Sequence, residues 1–255
     1  MYKNIKRLKY KHIYLPVFVV LWLSFFLDST TLAKQITYNQ WLTNTLVFIS
    51  YIWIYSRVSK VIKQLMLFGL LVAIFGEVLF SLVLGMYTYR LDNVPIYVPF
   101  GHSIVYASIY YIAREPLVLK HKQRIYNVLF PIMIIYSSLW LLLAKDLFGF
   151  ICMIVTMWLL HRQPSSKLFF LLMFFMVIYL ELVGTYYQCW VWPEIWFDKL
   201  SWIPSANPPS GIGGFYFAFD VGCLWLYKHY NIKRWQRFRA IQRVRKTMVQ
   251  PTNIQ

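Results

Sequence analysis

The sequence predicts an all-α polytopic membrane protein of about eight transmembrane helices, and three observations predict it. Hydrophobic residues make up 59% of the chain and charged residues only 14%, against about 25% charged in soluble globular proteins. The apolar residues fall in runs near the roughly 20 residues that a helix needs to cross about 30 Å of hydrocarbon. These runs do not alternate apolar with polar positions as the strands of a transmembrane barrel do, and only helices or closed barrels satisfy their own backbone in lipid. The third observation is the sorting of Lys and Arg, which emerges once the runs are placed.

Eight apolar segments lie near residues 13–28, 40–56, 65–88, 95–113, 125–144, 147–161, 168–189 and 211–227. The sixth is short and is separated from the fifth by "AKDLFG" alone. With the N-terminus in the cytoplasm and the segments alternating, the inner side collects 22 of the 26 Lys and Arg. They cluster at Lys3–Lys11, Arg57–Lys63, Arg114–Arg124, Arg162 with Lys167, and Lys228–Lys246. Only Lys34, Arg90, Lys145 and Lys199 remain outside. Removing or adding one span would invert every later loop and erase this bias, so an even count with both termini cytoplasmic is expected. The chain then reads as one integral domain of the inner membrane over 1–255, divisible into halves 1–116 and 117–227. A basic cytoplasmic tail follows over 228–255.

The net charge of +17 is accounted for by orientation and by anchoring to anionic lipid. No nucleic-acid partner is expected, and the tail "KHYNIKRWQRFRAIQRVRK" has the spacing of an amphipathic helix lying on the inner leaflet. Cys152, Cys189 and Cys223 are scattered without a CxxC, so neither a metal site nor a disulfide framework is expected. The basic start, the apolar run and "STTLA" share features with a signal peptide. The small-residue cleavage site is poor, and an uncleaved first span is expected.

Three of the nine acidic residues fall inside spans: Glu77 centrally in the third, Glu181 in the outward half of the seventh, and Asp220 near the middle of the eighth. An ionised carboxylate at mid-membrane costs at least about 2.5–3.5 kcal/mol, so such groups face a protein interior and find partners. His102 joins them, seven residues after Pro95 in the fourth span. All four fit one polar cluster in the outer half of the membrane, with acid–base or anchoring roles. They equally fit separate hydrogen bonds to Ser, Thr or Tyr on neighbouring helices.

The outer ends of the third and seventh spans look alike. One reads "GEVLFSLVLGMYTYRLDNVPIYVPFGH", the other "LELVGTYYQCWVWPEIWFDKLSWIPSANPPSG". Each carries a buried glutamate, a glycine, an aromatic–x–aromatic pair (Tyr87/Tyr89 and Trp190/Trp192) and a proline-bearing segment. Lying four spans apart and running in the same direction, they are consistent with a parallel four-plus-four duplication and a site between the halves. Aromatics at span ends also serve as an interfacial belt. In "NPPSGIGG", Pro208 and Pro209 cannot continue a helix. Asn207, Ser210 and the open backbone N–H groups beside them can hold an anion or an oxygen-rich head group. The same stretch also suits a tight re-entry turn.

Around Glu77, Gly85, Tyr87, Tyr89 and "VPIYVP", the sequence resembles small membrane proteins of carotenoid biosynthesis, of the carotenoid hydratase and small lycopene cyclase type. The resemblance covers residues 77–103 and, more loosely, 181–211. The paired acidic residues after proline that mark the small cyclases are replaced here by "VPFGH" and "NPPSG". What the resemblance implies is acid–base work on a hydrophobic isoprenoid or lipid, with a role for Glu77 by position. A carboxylic acid kept neutral by burial can protonate a double bond, and aromatic faces can stabilise the cation that develops.

The expected site therefore comprises Glu77, His102, Glu181 and Asp220 as acid–base groups, with Tyr87, Tyr89, Trp190, Trp192, Asn207 and Ser210 lining the substrate. No cofactor is expected, and the partners are membrane lipid and a hydrophobic small molecule. The five histidines (His12, His102, His121, His161 and His229) form no clustered iron-ligand pattern, and nucleotide-binding and serine-nucleophile motifs are absent. Two further readings stay open: a small transporter using the carboxylates as a proton relay, and a non-catalytic membrane subunit with polar residues as interhelical glue.

Overall fold

Each of the eight apolar segments forms one long helix in the computed structural model, which describes residues 8–197, 199–233 and 236. The predicted tail helix falls mostly outside the described residues, as do Lys3, Lys6 and Arg7. The long helices are α1 (Lys11–Leu27), α3 (Asn39–Arg57), α4 (Lys60–Glu77), α5 (Tyr97–Ile112), α7 (Lys122–Ala144), α8 (Leu147–Arg162), α9 (Lys167–Tyr186) and α10 (Gly213–Tyr230), with short α2 (Thr30–Ala33) and α6 (Pro116–Lys120) between them. Three of these are long and apolar enough to cross a membrane by length and composition: Lys60–Val83, Lys122–Ala144 and Lys167–Tyr186. Two shorter apolar helices, α1 and α8, accompany them.

Local chemistry sets the helix starts. Ser29, Ser59 and Asp146 each accept a backbone N–H three residues ahead, from Leu32, Ile62 and Gly149. This satisfies one of the donors that a helix N-terminus leaves open. The third segment departs most from a plain span. After Glu77 the helix widens into a π-helical stretch, Val78–Val83, and Gly85 then takes a positive φ of 62°, a conformation that glycine adopts without a Cβ clash. The chain leaves the helix there and enters β1 (Thr88–Tyr89).

Strands were not part of the all-α expectation, and four very short ones occur. β1 pairs antiparallel with β2 (Trp190–Val191), setting Thr88 opposite Val191 and Tyr89 opposite Trp190. β3 (Ile195–Trp196) pairs with β4 (Leu200–Pro204). The β1–β2 ribbon joins the segments after α4 and α9, the two that read alike in the sequence.

α5 and α9 are the inner helices, each burying ten residues, whereas only 11% of the apolar window of α7 is buried against 56% for α9. α4 packs on α5 and α10, α1 on α3 and α5, and α7 on α8 and α9. Outward faces are apolar, as at Val19, Phe75, Val83, Leu142 and Leu143, while Thr43, Ser103, Ser108, Glu77 and Glu181 are buried. Apolar-out, polar-in is the reverse of a soluble domain.

The two ends of the bundle are tied differently. At one end Glu115 accepts the backbone N–H groups of Lys9 and Tyr10, and the Tyr111 hydroxyl accepts that of Ser59. At the other, Arg90 donates to Asp28 at 2.6 Å and to Asn39 at 2.9 Å, and Tyr97 donates to Asp28 at 2.8 Å. Asp28 is fully buried, and a charge so placed requires pairing.

Candidate site between the two glutamate hairpins

Glu77 ends α4, and the π-helical stretch after it swings the following chain back across the helix end. Ser81 donates to the Tyr87 carbonyl at 3.1 Å. Both tyrosine hydroxyls, of Tyr87 and Tyr89, then donate to Glu77 Oε2 at 2.6 Å. His102 Nε2 lies 2.8 Å from Glu77 Oε1. The two hydroxyls make Oε2 an acceptor, and the hydrogen bond between Oε1 and His102 commits Nε2, leaving Nδ1 as the ring nitrogen without a hydrogen bond among the described residues.

Glu181 repeats the plan one helix pair away. The indole N–H groups of Trp190 and Trp192 donate to Glu181 Oε2 at 2.8 and 3.0 Å. Trp190 folds back onto α9 because residue 184 is glycine: a Cβ there would overlap the Trp190 ring. The Trp192 N–H donates to Asn207 Oδ1 at 3.1 Å.

The hairpins interlock. The rings of Tyr87 and Trp192 lie 4.7 Å apart, and those of Tyr89 and Trp190 lie 6.1 Å apart. Both glutamates are buried, 3% and 5% exposed, and both line one pocket with His102, Tyr87, Tyr89, Trp190 and Trp192. Phe80, Phe215, Tyr216 and Phe219 complete an aromatic wall. The free space of about 80 Å³ exceeds the roughly 10–15 Å³ that one water needs. The His102 ring packs against Tyr216 and Phe219, neighbouring rings of α10, with centroids 4.8 and 4.9 Å away.

Seven of the ten expected site residues thus converge: Glu77, Tyr87, Tyr89, His102, Glu181, Trp190 and Trp192. Three do not line this pocket. Asp220 is buried on α10, and its Oδ2 has no hydrogen-bond partner among the described residues. Asn207 holds the Trp192 backbone. Ser210 gives its N–H to Asp146 Oδ2 at 2.7 Å, while Asp146 Oδ1 takes those of Gly149 and Ala206 at 3.0 Å. An internal carboxylate therefore takes the Ser210 N–H, while the Ser210 hydroxyl has no hydrogen-bond partner among the described residues.

Several residues that sequence reasoning passed over shape the site. Tyr216 and Phe219 pack against His102 from α10. Arg90 and Asp28 lock the loop bearing β1, with the Arg90 N–H also donating to the Cys189 carbonyl at 3.0 Å. Arg90 carried one signal, as one of only four basic residues that the sequence reading leaves outside the inner-side clusters. Asp28 follows α1 and accepts from Tyr97 at the start of α5, and Asp146 follows α7 and accepts from Ser210 just before α10. The cysteines are free and buried. No group of three or more potential metal ligands occurs among the described residues. Comparison of the chain with protein-family models, with curated proteins and with solved structures finds no match.

Proposed function

We propose that the chain is an eight-span membrane protein with cytoplasmic termini that performs acid–base chemistry on an apolar lipid or isoprenoid. One observation carries this reading: two buried glutamates, each held by its own aromatic pair, line one aromatic-walled pocket with a histidine. Apolar and aromatic walls suit a hydrocarbon substrate, and few polar groups fix its orientation. The orientation follows from the basic residues, which gather at the end of the bundle held by Glu115.

The reaction class that fits is addition of a proton to a carbon–carbon double bond followed by loss of a proton elsewhere. A carboxylic acid gives its proton to one alkene carbon, the π electrons form the new C–H bond, and a cation develops at the other carbon. Aromatic faces stabilise that cation. A base then removes a neighbouring proton, giving an isomer, or water adds and loses a proton, giving a hydrate. Neither course changes the overall redox state, so no electron acceptor is required.

A four-plus-four duplication is part of the proposal. The helix pairings α1–α3, α3–α5 and α4–α5 correspond to α7–α8, α8–α10 and α9–α10, and the cross-pair α4–α10 corresponds to α9–α5. The antiparallel β1–β2 ribbon supports this reading, because it sets Thr88 and Val191, the central residues of the two aromatic–x–aromatic pairs, opposite each other. The experiment is comparison of organic extracts from membranes with and without the protein. A lipid species that shifts on removal, and is restored by wild type but not by Glu181→Gln, supports the reading. Unchanged extracts together with gradient-driven solute uptake would replace it with transport.

A further inference from the structure

The two glutamates are built alike but are not equally satisfied. Glu77 is hydrogen-bonded on both oxygens, accepting from Tyr87 and Tyr89 at Oε2 and paired with His102 Nε2 at Oε1. Glu181 receives both of its donors on Oε2. Its Oε1 makes no hydrogen bond among the described residues, and it is not among the fully enclosed side-chain atoms left without a partner. His102 Nδ1 is in the same condition, with Nε2 committed to Glu77. Both residues line the pocket.

Resting on the pocket reading above, we infer that Glu181 Oε1 and His102 Nδ1 are the atoms that meet the ligand, and that Glu77 is a positioning residue. The resemblance in sequence pointed to Glu77 as the working acid; the hydrogen bonds point away from it. Glu77 fixes the His102 ring from Nε2 while Tyr216 and Phe219 fix its plane, and it anchors the Tyr87–Tyr89 hairpin. Glu181 Oε1–H is then a donor and His102 Nδ1 an acceptor in one apolar pocket. This pair suits a ligand with a proton-accepting double bond and an acidic C–H or O–H on an otherwise apolar body. The proton leaves Glu181 for the ligand, a ligand proton leaves to Nδ1, and return of that proton from Nδ1 to Glu181 Oε1 through water in the pocket resets the pair for the next turnover.

The test uses the whole protein in membrane vesicles and two chemical probes. Dicyclohexylcarbodiimide reacts with an accessible carboxylic acid: the carboxyl oxygen adds to the central carbon, the proton moves to nitrogen, and acyl shift gives a stable N-acylurea. Diethyl pyrocarbonate transfers its ethoxycarbonyl group to an open imidazole nitrogen, releasing ethanol and carbon dioxide. Peptide mass spectrometry is expected to find the carbodiimide adduct on Glu181, with Glu77 labelled roughly tenfold less because its hydrogen bonds must first break. Ethoxycarbonylation is expected on His102. Tyr87→Phe with Tyr89→Phe should raise labelling of Glu77, and the wild-type comparison stands even where that variant does not fold. Labelling of Glu77 equal to or above that of Glu181, or no labelling of Glu181, would overturn the assignment. That failure is separable from failure of the enzymatic reading: reversed labelling with lipid extracts that still depend on the protein sinks only the roles, whereas the expected labelling with unchanged extracts sinks only the reaction.

Discussion

Tyr89 and Trp190 stand opposite each other across the β1–β2 ribbon, and each donates its side-chain hydrogen to a different glutamate. The ribbon therefore couples the two carboxyl groups mechanically: neither hairpin can shift without moving the other's donor. Trp190→Phe removes one of two indole donors and keeps most of the ring. It should lower stability by about 0.5–1.5 kcal/mol, the range for a hydrogen bond between uncharged groups, read as a drop in thermal midpoint in detergent. The same change in a Glu181→Ala background should cost about 0.5 kcal/mol less, as contacting residues couple in double-mutant cycles. Equal costs in both backgrounds would mean that the hydrogen bond contributes nothing.

Arg90→Met leaves Asp28 fully buried and without its cation. Breaking a buried pair on one side costs about 3–5 kcal/mol, whereas replacing both partners with apolar residues of similar size is often neutral. The variant should unfold at markedly lower temperature than Asp28→Leu/Arg90→Met. A double variant no better than the single would remove the ion pair from the account.

Gly184→Val places a side chain where the Trp190 ring lies. Forced overpacking costs about 1–3 kcal/mol, and displacing Trp190 also strips a donor from Glu181. Trp190→Ala should relieve the clash, so the paired variant should recover stability relative to Gly184→Val with native Trp190. Further loss in the pair would show that residue 184 meets something else.

The proposed topology is checked with single cysteines and a membrane-impermeant maleimide. Cys152, Cys189 and Cys223 are buried and should stay silent. Lys34→Cys should react from outside intact cells, and Lys122→Cys only after the membrane is opened. Outside labelling of Lys122→Cys would invert the positive-inside assignment.

The eight helices were legible because a run of apolar residues is a one-dimensional signal. Segment edges were less so. The third segment was expected to reach residue 88, yet its helix ends at Val83, since a π-helical widening and a positive-φ glycine depend on where Tyr87 and Tyr89 must land. The glutamate and aromatic pairs were legible as a repeated spacing, but two-residue strands carry too little pattern to announce that the repeats pair with each other. Asn207 and Ser210 show the limit from the other side. A helix start with open donors reads as an anion site, and only the fold reveals that Asp146, sixty residues away from Ala206 in sequence, fills it. Asp28 and Arg90 were visible as charges and invisible as a pair, because 62 residues separate them.

The most direct measurement compares the apolar molecules carried by purified wild type and by Glu181→Gln from the same membranes. An acid that cannot give up its proton should trap the unreacted ligand. The account predicts that the variant retains a lipid or isoprenoid that is an isomer of the species accumulating with wild type, or differs from it by one water. Identical extracts from the two proteins, with Glu181→Gln folded and both tryptophans in place, would contradict it.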